Sequence, residues 1–196
     1  MKKSGSKTVF NSAEEAWFRQ AFSIDLPHLG TACTILMLGS LNDSYAIQHF
    51  LNIARKLPMI RFRLVLDEKT DSSTIFSGAG MVPPNCTVYG EQEDHLPFYR
   101  EAHLVLDLSS NSKDSTLSDR NILESMACAR PVIVPDYTGR FSIVTDGKEG
   151  YHINPDQENR LSGAIRELCS DTKTYFRFAV AAREKALHFS ALQLKG

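Results

Sequence analysis

The chain has 196 residues, 42% of them hydrophobic, with 22 Lys+Arg against 23 Asp+Glu and a formal net charge of -1. That length holds one large domain, or two very small ones, with a sizeable core. The charge balance removes the bulk attraction to polyanions on which a general nucleic-acid binder depends, so no nucleic-acid partner is expected. No apolar run approaches the ~20 residues of a transmembrane segment. The basic start Met1-Lys2-Lys3 is followed by polar residues through Lys7, not by an apolar stretch, so no secretion signal is read. A cytoplasmic location is therefore expected. Cys33, Cys86, Cys128 and Cys169 are never two to four residues apart, which excludes zinc-finger spacing, and no metal is expected. In that compartment all four are expected to be reduced, with those in apolar segments packing as small hydrophobes.

Residues 1–7 read as a tail. Residues 12–22 read as a short helix, with Ser12 at its N-cap and Glu14 and Glu15 in the first turn. Trp17, Phe18 and Phe22 supply an aromatic stripe that packs either on its own domain or, if the helix ends an interdomain linker, on an absent partner. Pro27 and Gly30 then break the pattern. Residues 1–30 are read as tail and linker-like helix, and 31–196 as the domain.

From Cys33 the punctuation is regular. Residues 33–39 form an apolar run closed by glycine, a buried strand. Asp43 caps a helix with Ala46, Ile47, Phe50, Leu51 and Ala54 on one face. Residues 60–66 are a second strand, 67–84 are loop-rich with one short helix, and 87–90 are a third strand. A helix over 93–102 leads to a fourth strand, 104–108. The serine-rich stretch 109–118 reads as loop, 119–129 as helix, 131–134 as the fifth strand and 151–153 as the sixth. Amphipathic helices over 156–169 and 171–189 close the chain.

Strands alternating with helices of this length predict an α/β fold, a doubly wound parallel six-stranded Rossmann-like sheet in the order 3-2-1-4-5-6. Its ligand is expected at the carboxyl ends of the first and fourth strands. The turn Gly39-Ser-Leu-Asn-Asp43 is not G-x-G-x-x-G and no Walker pattern is present, which argues against a nicotinamide enzyme. Gly39 fits a close backbone approach to a ligand and equally a plain turn. The helix start near Ser118 offers free N–H groups to an anion. Glu124, one to two turns further on, is either a paired acceptor for two ribose hydroxyls or a solvated helix glutamate.

The run Asn121-Ile-Leu-Glu-Ser-Met-Ala-Cys-Ala-Arg-Pro-Val-Ile-Val134, followed by the segments 138–150 and 151–155, resembles the C-terminal domain of GT-B glycosyltransferases, in particular the retaining, glycogen-synthase-like group with an E-x7-E motif. The resemblance covers residues 33–189. It implies a domain that binds a nucleoside-diphosphate sugar as substrate, with no further cofactor. Transfer to an acceptor then needs the missing N-terminal domain, in cis or in trans. It aligns the ribose-holding glutamate with Glu124. The sugar-contacting glutamate falls on Thr116, the loop N–H groups near Leu117 and Ser118, and the base near Val88 to Gly90. The family's arginine after the first-strand glycine falls on Ser40, its lysine near Tyr45, and the glutamate of a second glycine-rich patch on Ser142. Lys113 and Arg120 lie in the right loop to replace the lost cations. The alternative is a degenerate GT-B module that steadies or regulates a partner.

Overall fold

The computed structural model describes residues 12–30, 32–67, 81–110, 115–137 and 143–194. Six strands, β1 (Thr34–Gly39), β2 (Arg61–Leu66), β3 (Cys86–Tyr89), β4 (Leu104–Leu106), β5 (Val132–Val134) and β6 (Gly150–His152), form one sheet in the order β3-β2-β1-β4-β5-β6. Every pair is parallel, as the sequence predicts; Ile35 of β1 sits opposite Phe62 of β2 and Leu104 of β4. The described helices are α1 (Ser12–Phe22), α2 (Ser44–Lys56), α3 (Leu96–Glu101), α4 (Ser115–Ala127), α5 (Glu158–Ser170) and α6 (Thr172–Leu194).

Alternation along β1 divides the core. Ile35 and Met37 pack with Phe50 and Ile53 of α2 and Leu161 and Ile165 of α5, while Leu36 faces Tyr99 of α3 and Ile122 and Met126 of α4. Each such side chain, removed fully from water, stabilises the fold by ~1.5–3 kcal/mol. Helix α6 spans both layers: Tyr175 and Phe178 belong to the first, Ala182 and Ala186 to the second.

The aromatic stripe of α1 packs on its own domain. Phe18 and Ala21, with Ile24 just beyond the helix, are buried in the second layer, and Trp17 meets Tyr99 edge-on at 6.1 Å. Two arginines fasten the segment that follows. Arg183 donates to the Ile24 carbonyl, and Arg130 reaches that of Asp25 at 3.5 Å.

Several boundaries move, each for a local reason. Helix α4 begins at Ser115, so 115–118 are its first turn rather than loop; N–H groups there need no intrahelical partner, which lets serine and threonine accept the position. Helix α3 is shorter than the expected 93–102, because the Asp94 carboxylate accepts from Leu96 N–H at 2.9 Å and fixes its start. Strand β4 stops at Leu106, where Asp107 turns back to accept from Ser109 N–H. Strand β6 starts at Gly150, where a Cβ would lie 1.8 Å from the Val132 carbonyl oxygen; only glycine lets β5 and β6 pair. The tail over 1–7 and most of the loop expected over 67–84 fall outside the described residues.

The expectation of four free thiols is corrected. Cys33 and Cys169 are disulfide-bonded, their Cα atoms 5.7 Å apart across 136 residues of sequence. The start of β1 and the end of α5 meet only in the folded sheet, so spacing along the chain does not show the pair. Cys86 and Cys128 are free and buried, and burial pushes both thiols up to about 12. Among the described residues no helix is long and apolar enough to cross a membrane.

Candidate functional site

Where β1 and β4 diverge, a cleft of about 430 Å³ opens at the carboxyl ends of the strands, the position expected for a ligand in a doubly wound sheet. Gly39 and Ser40 line it from the end of β1, and a Cβ on Gly39 would meet only side-chain atoms, the nearest at 3.3 Å. Asp43 ties the two strand ends together. One carboxylate oxygen accepts from Ala46 N–H at 3.0 Å, capping α2 as predicted, and the other accepts from Ser110 N–H at 2.8 Å beyond β4. Glu91, Gln92 and His95 close the side beneath β3 and α3, and Asn121 comes from α4. The Ser109 hydroxyl in the wall is buried without a hydrogen-bond partner.

The charge of the cleft is one-sided. Asp43, Asp67, Glu91 and Asp107 line it, and no lysine or arginine does among the described residues. Tyr45, near which the resemblance puts a lysine, is turned away. Its hydroxyl donates to Asp156 at 3.3 Å and its ring lies 4.3 Å from that of His49. Burial raises the Tyr45 pKa.

Glu124 is not the solvated helix glutamate of the second sequence alternative. It is 4% exposed and lies one turn below the cleft wall, between α3 and α4. One oxygen accepts from Arg120 Nε at 2.7 Å, the other from the Tyr99 hydroxyl at 3.3 Å. Arg120 also contacts Glu14 of α1 at 3.2 Å, and its hydrogen bond to Glu124 raises its pKa. Burial, then the charge of Glu124, pushes the Tyr99 phenol well above its ordinary value. Arg120 is therefore turned to two carboxylates, not to the cleft.

Of the other expected residues, Gly90 stands directly before Glu91 at the end of β3. Thr116, Leu117 and Ser118 lie in the first turn of α4, with their side chains outside the description. Lys113 and Ser142 are outside the described residues altogether. Sequence reasoning missed Asp107, Glu91, His95 and Asn121 as cleft residues. Asp107 carried a signal, a charge at the carboxyl end of the apolar run 104–108; the others carried none.

Comparison with known proteins agrees with this architecture. The family described as "Glycosyl transferases group 1" matches residues 32–171. EpsD of Bacillus subtilis (strain 168), which carries a glycosyltransferase name, is 26% identical over 142 residues, 67% of this chain and 37% of its own. The Anabaena protein Alr3699/HepE, solved in complex with UDP and glucose, superposes with a TM-score of 0.70 at 16% identity, over 95% of this chain and 51% of that one. The C-terminal domain of a group 1 glycosyl transferase (LpcC) from Francisella tularensis superposes with a TM-score of 0.62 at 19% identity, covering 80% of this chain and 85% of that domain. The chain thus spans about half the length, or less, of the full-length relatives it matches. With the family matched over all six strands and the fold shared with an isolated C-terminal domain, the chain belongs to the group 1 glycosyltransferases and has the fold of their GT-B C-terminal domain.

Proposed function

We propose that this domain is the donor-side half of a glycosyltransferase. It holds a nucleoside-diphosphate sugar in the cleft, and transfer follows when a second domain presents the acceptor. The observation that supports this most is the cleft itself, at the switch point of a group 1 glycosyltransferase sheet. In this reading the base lies by Gly90, Glu91 and His95, and the diphosphate by the turn after Gly39 and the free N–H groups opening α4. The ribose lies toward Glu124. Titration calorimetry with UDP-, GDP- and ADP-sugars tests it: binding of one of them is expected, and no heat with any at millimolar ligand overturns it.

The four carboxylates facing the cleft favour a second reading, a non-catalytic GT-B module that steadies a partner enzyme. Buried cations of the kind lost at Ser40 and Tyr45 each stabilise developing charge by ~2.7–4 kcal/mol in such sites. A folded domain that binds no nucleotide supports this second reading.

A further inference from the structure

Glu124 is the side chain that the donor reading needs at the ribose, yet the fold closes it off. Asn121, three residues earlier on α4, and His95, four residues before Tyr99, line the cleft, while Glu124 and Tyr99 do not. Both carboxylate oxygens are engaged, one by Arg120 and one by Tyr99. Arg120 is in turn held through Glu14 to α1, which is anchored by Phe18, Ala21 and the arginine contacts beyond it. Each oxygen keeps a second lone pair, but the carboxylate is 4% exposed, so a ribose diol from the cleft reaches it only where the groups covering it give way.

We propose that Arg120, held by Glu14 of α1, is an internal competitor for the ribose: it occupies Glu124 and must release it before the nucleotide's hydroxyls can bind. The inference rests on the donor reading. The Arg120 contact joins two opposite charges as well as making a hydrogen bond, whereas a ribose hydroxyl brings the hydrogen bond alone. Exchanging the first for the second therefore costs affinity, and removing Arg120 recovers it. The other role open to the same arginine, neutralising a diphosphate, demands the opposite sign.

The experiment titrates UDP, GDP and ADP, and their 2′-deoxy forms, into wild type, Arg120→Leu, Glu14→Gln and the double variant Arg120→Leu/Glu124→Gln. Each protein is checked for fold by circular dichroism and melting temperature. Arg120→Leu is expected to tighten the ribonucleotide roughly tenfold, the scale of one hydrogen bond to a charged group. It should tighten the 2′-deoxy form clearly less. Adding Glu124→Gln should remove the gain. Glu14→Gln, which loosens Arg120 without touching Glu124, should act in the same direction by less, and it carries the test alone if the leucine variant does not fold. Unchanged or weaker binding in Arg120→Leu, or an equal gain for the 2′-deoxy form, overturns the competitor role and leaves the donor reading standing. Folded variants that bind no nucleotide overturn both.

Discussion

Arg130 is 1% exposed, and its guanidinium is surrounded by main-chain carbonyls: Tyr99 at 2.7 Å, Arg100 at 3.0 Å and Asp25 at 3.5 Å. Burial pulls its pKa below the ordinary arginine value. Arg130→Met leaves these acceptors without donors, at ~1–3 kcal/mol for each buried group left unsatisfied. A total loss of about 2–4 kcal/mol is expected from urea unfolding, part of the cost being offset by no longer burying a charge. His103 makes a second residue-scale prediction. Its Nδ1 accepts from Thr34 N–H at 3.2 Å and its Nε2 lies 3.1 Å from the His28 carbonyl, an arrangement that suits the neutral ring protonated on Nε2. Burial lowers its pKa. The unfolded chain therefore takes up the proton first, so this contribution to stability is full above the ordinary imidazole range and is lost as pH falls from about 7 toward the folded pKa. Melting temperature should fall over that window, and His103→Gln should flatten part of the slope. An identical slope in the variant would assign the acid sensitivity to other groups.

At the scale of elements, the disulfide joins the start of β1 to the end of α5 and so closes a loop through most of the sheet. Cross-links of this kind typically stabilise by ~2–4 kcal/mol, chiefly by restricting the unfolded chain. Unfolding with and without dithiothreitol, beside Cys169→Ser, should show that loss; equal stability with and without reductant would mean that the fold does not depend on the bond. Under native conditions Cys86 and Cys128 should resist alkylation, because burial keeps both thiols protonated. Helix α1 belongs to the same scale. Its sequence allowed packing on this domain or on another, and Phe18, Ala21 and Ile24 are buried here against α3, α4 and α6. By that packing it also brings Glu14 within reach of Arg120.

For the molecule as a whole, charge sets the sharpest expectation. Four carboxylates line the cleft without a described cation, so an entering diphosphate meets like charge. Salt screens this repulsion, with a Debye length of about 10 Å at 0.1 M. Nucleoside-diphosphate affinity should therefore rise, or hold, as salt is raised from low ionic strength; a steep fall, as in a basic site, would show that positive side chains carry the binding. Under the proposed donor reading, this domain tested by itself is expected to bind a nucleotide sugar without transferring it to an acceptor.

The sequence by itself determined the sheet, its strand order and the family. Apolar runs of strand length closed by turn residues, alternating with helical periods, leave few right-handed topologies, and the segment 121–155 carries a glycine at Gly150, where close backbone contact demands one. Local hydrogen bonding was legible as well, as in the Asp43 cap of α2. The tertiary structure alone decided what depends on residues far apart in the chain. Cys33 meets Cys169, Ser110 meets Asp43, and Arg120 reaches Glu14 across 106 residues. Glu124 illustrates the difference most clearly. Its position on the helix was readable, but whether a carboxylate on that face meets water, a ribose or an arginine depends on which helices pack over it, and α1 and α3 arrive there only through the fold.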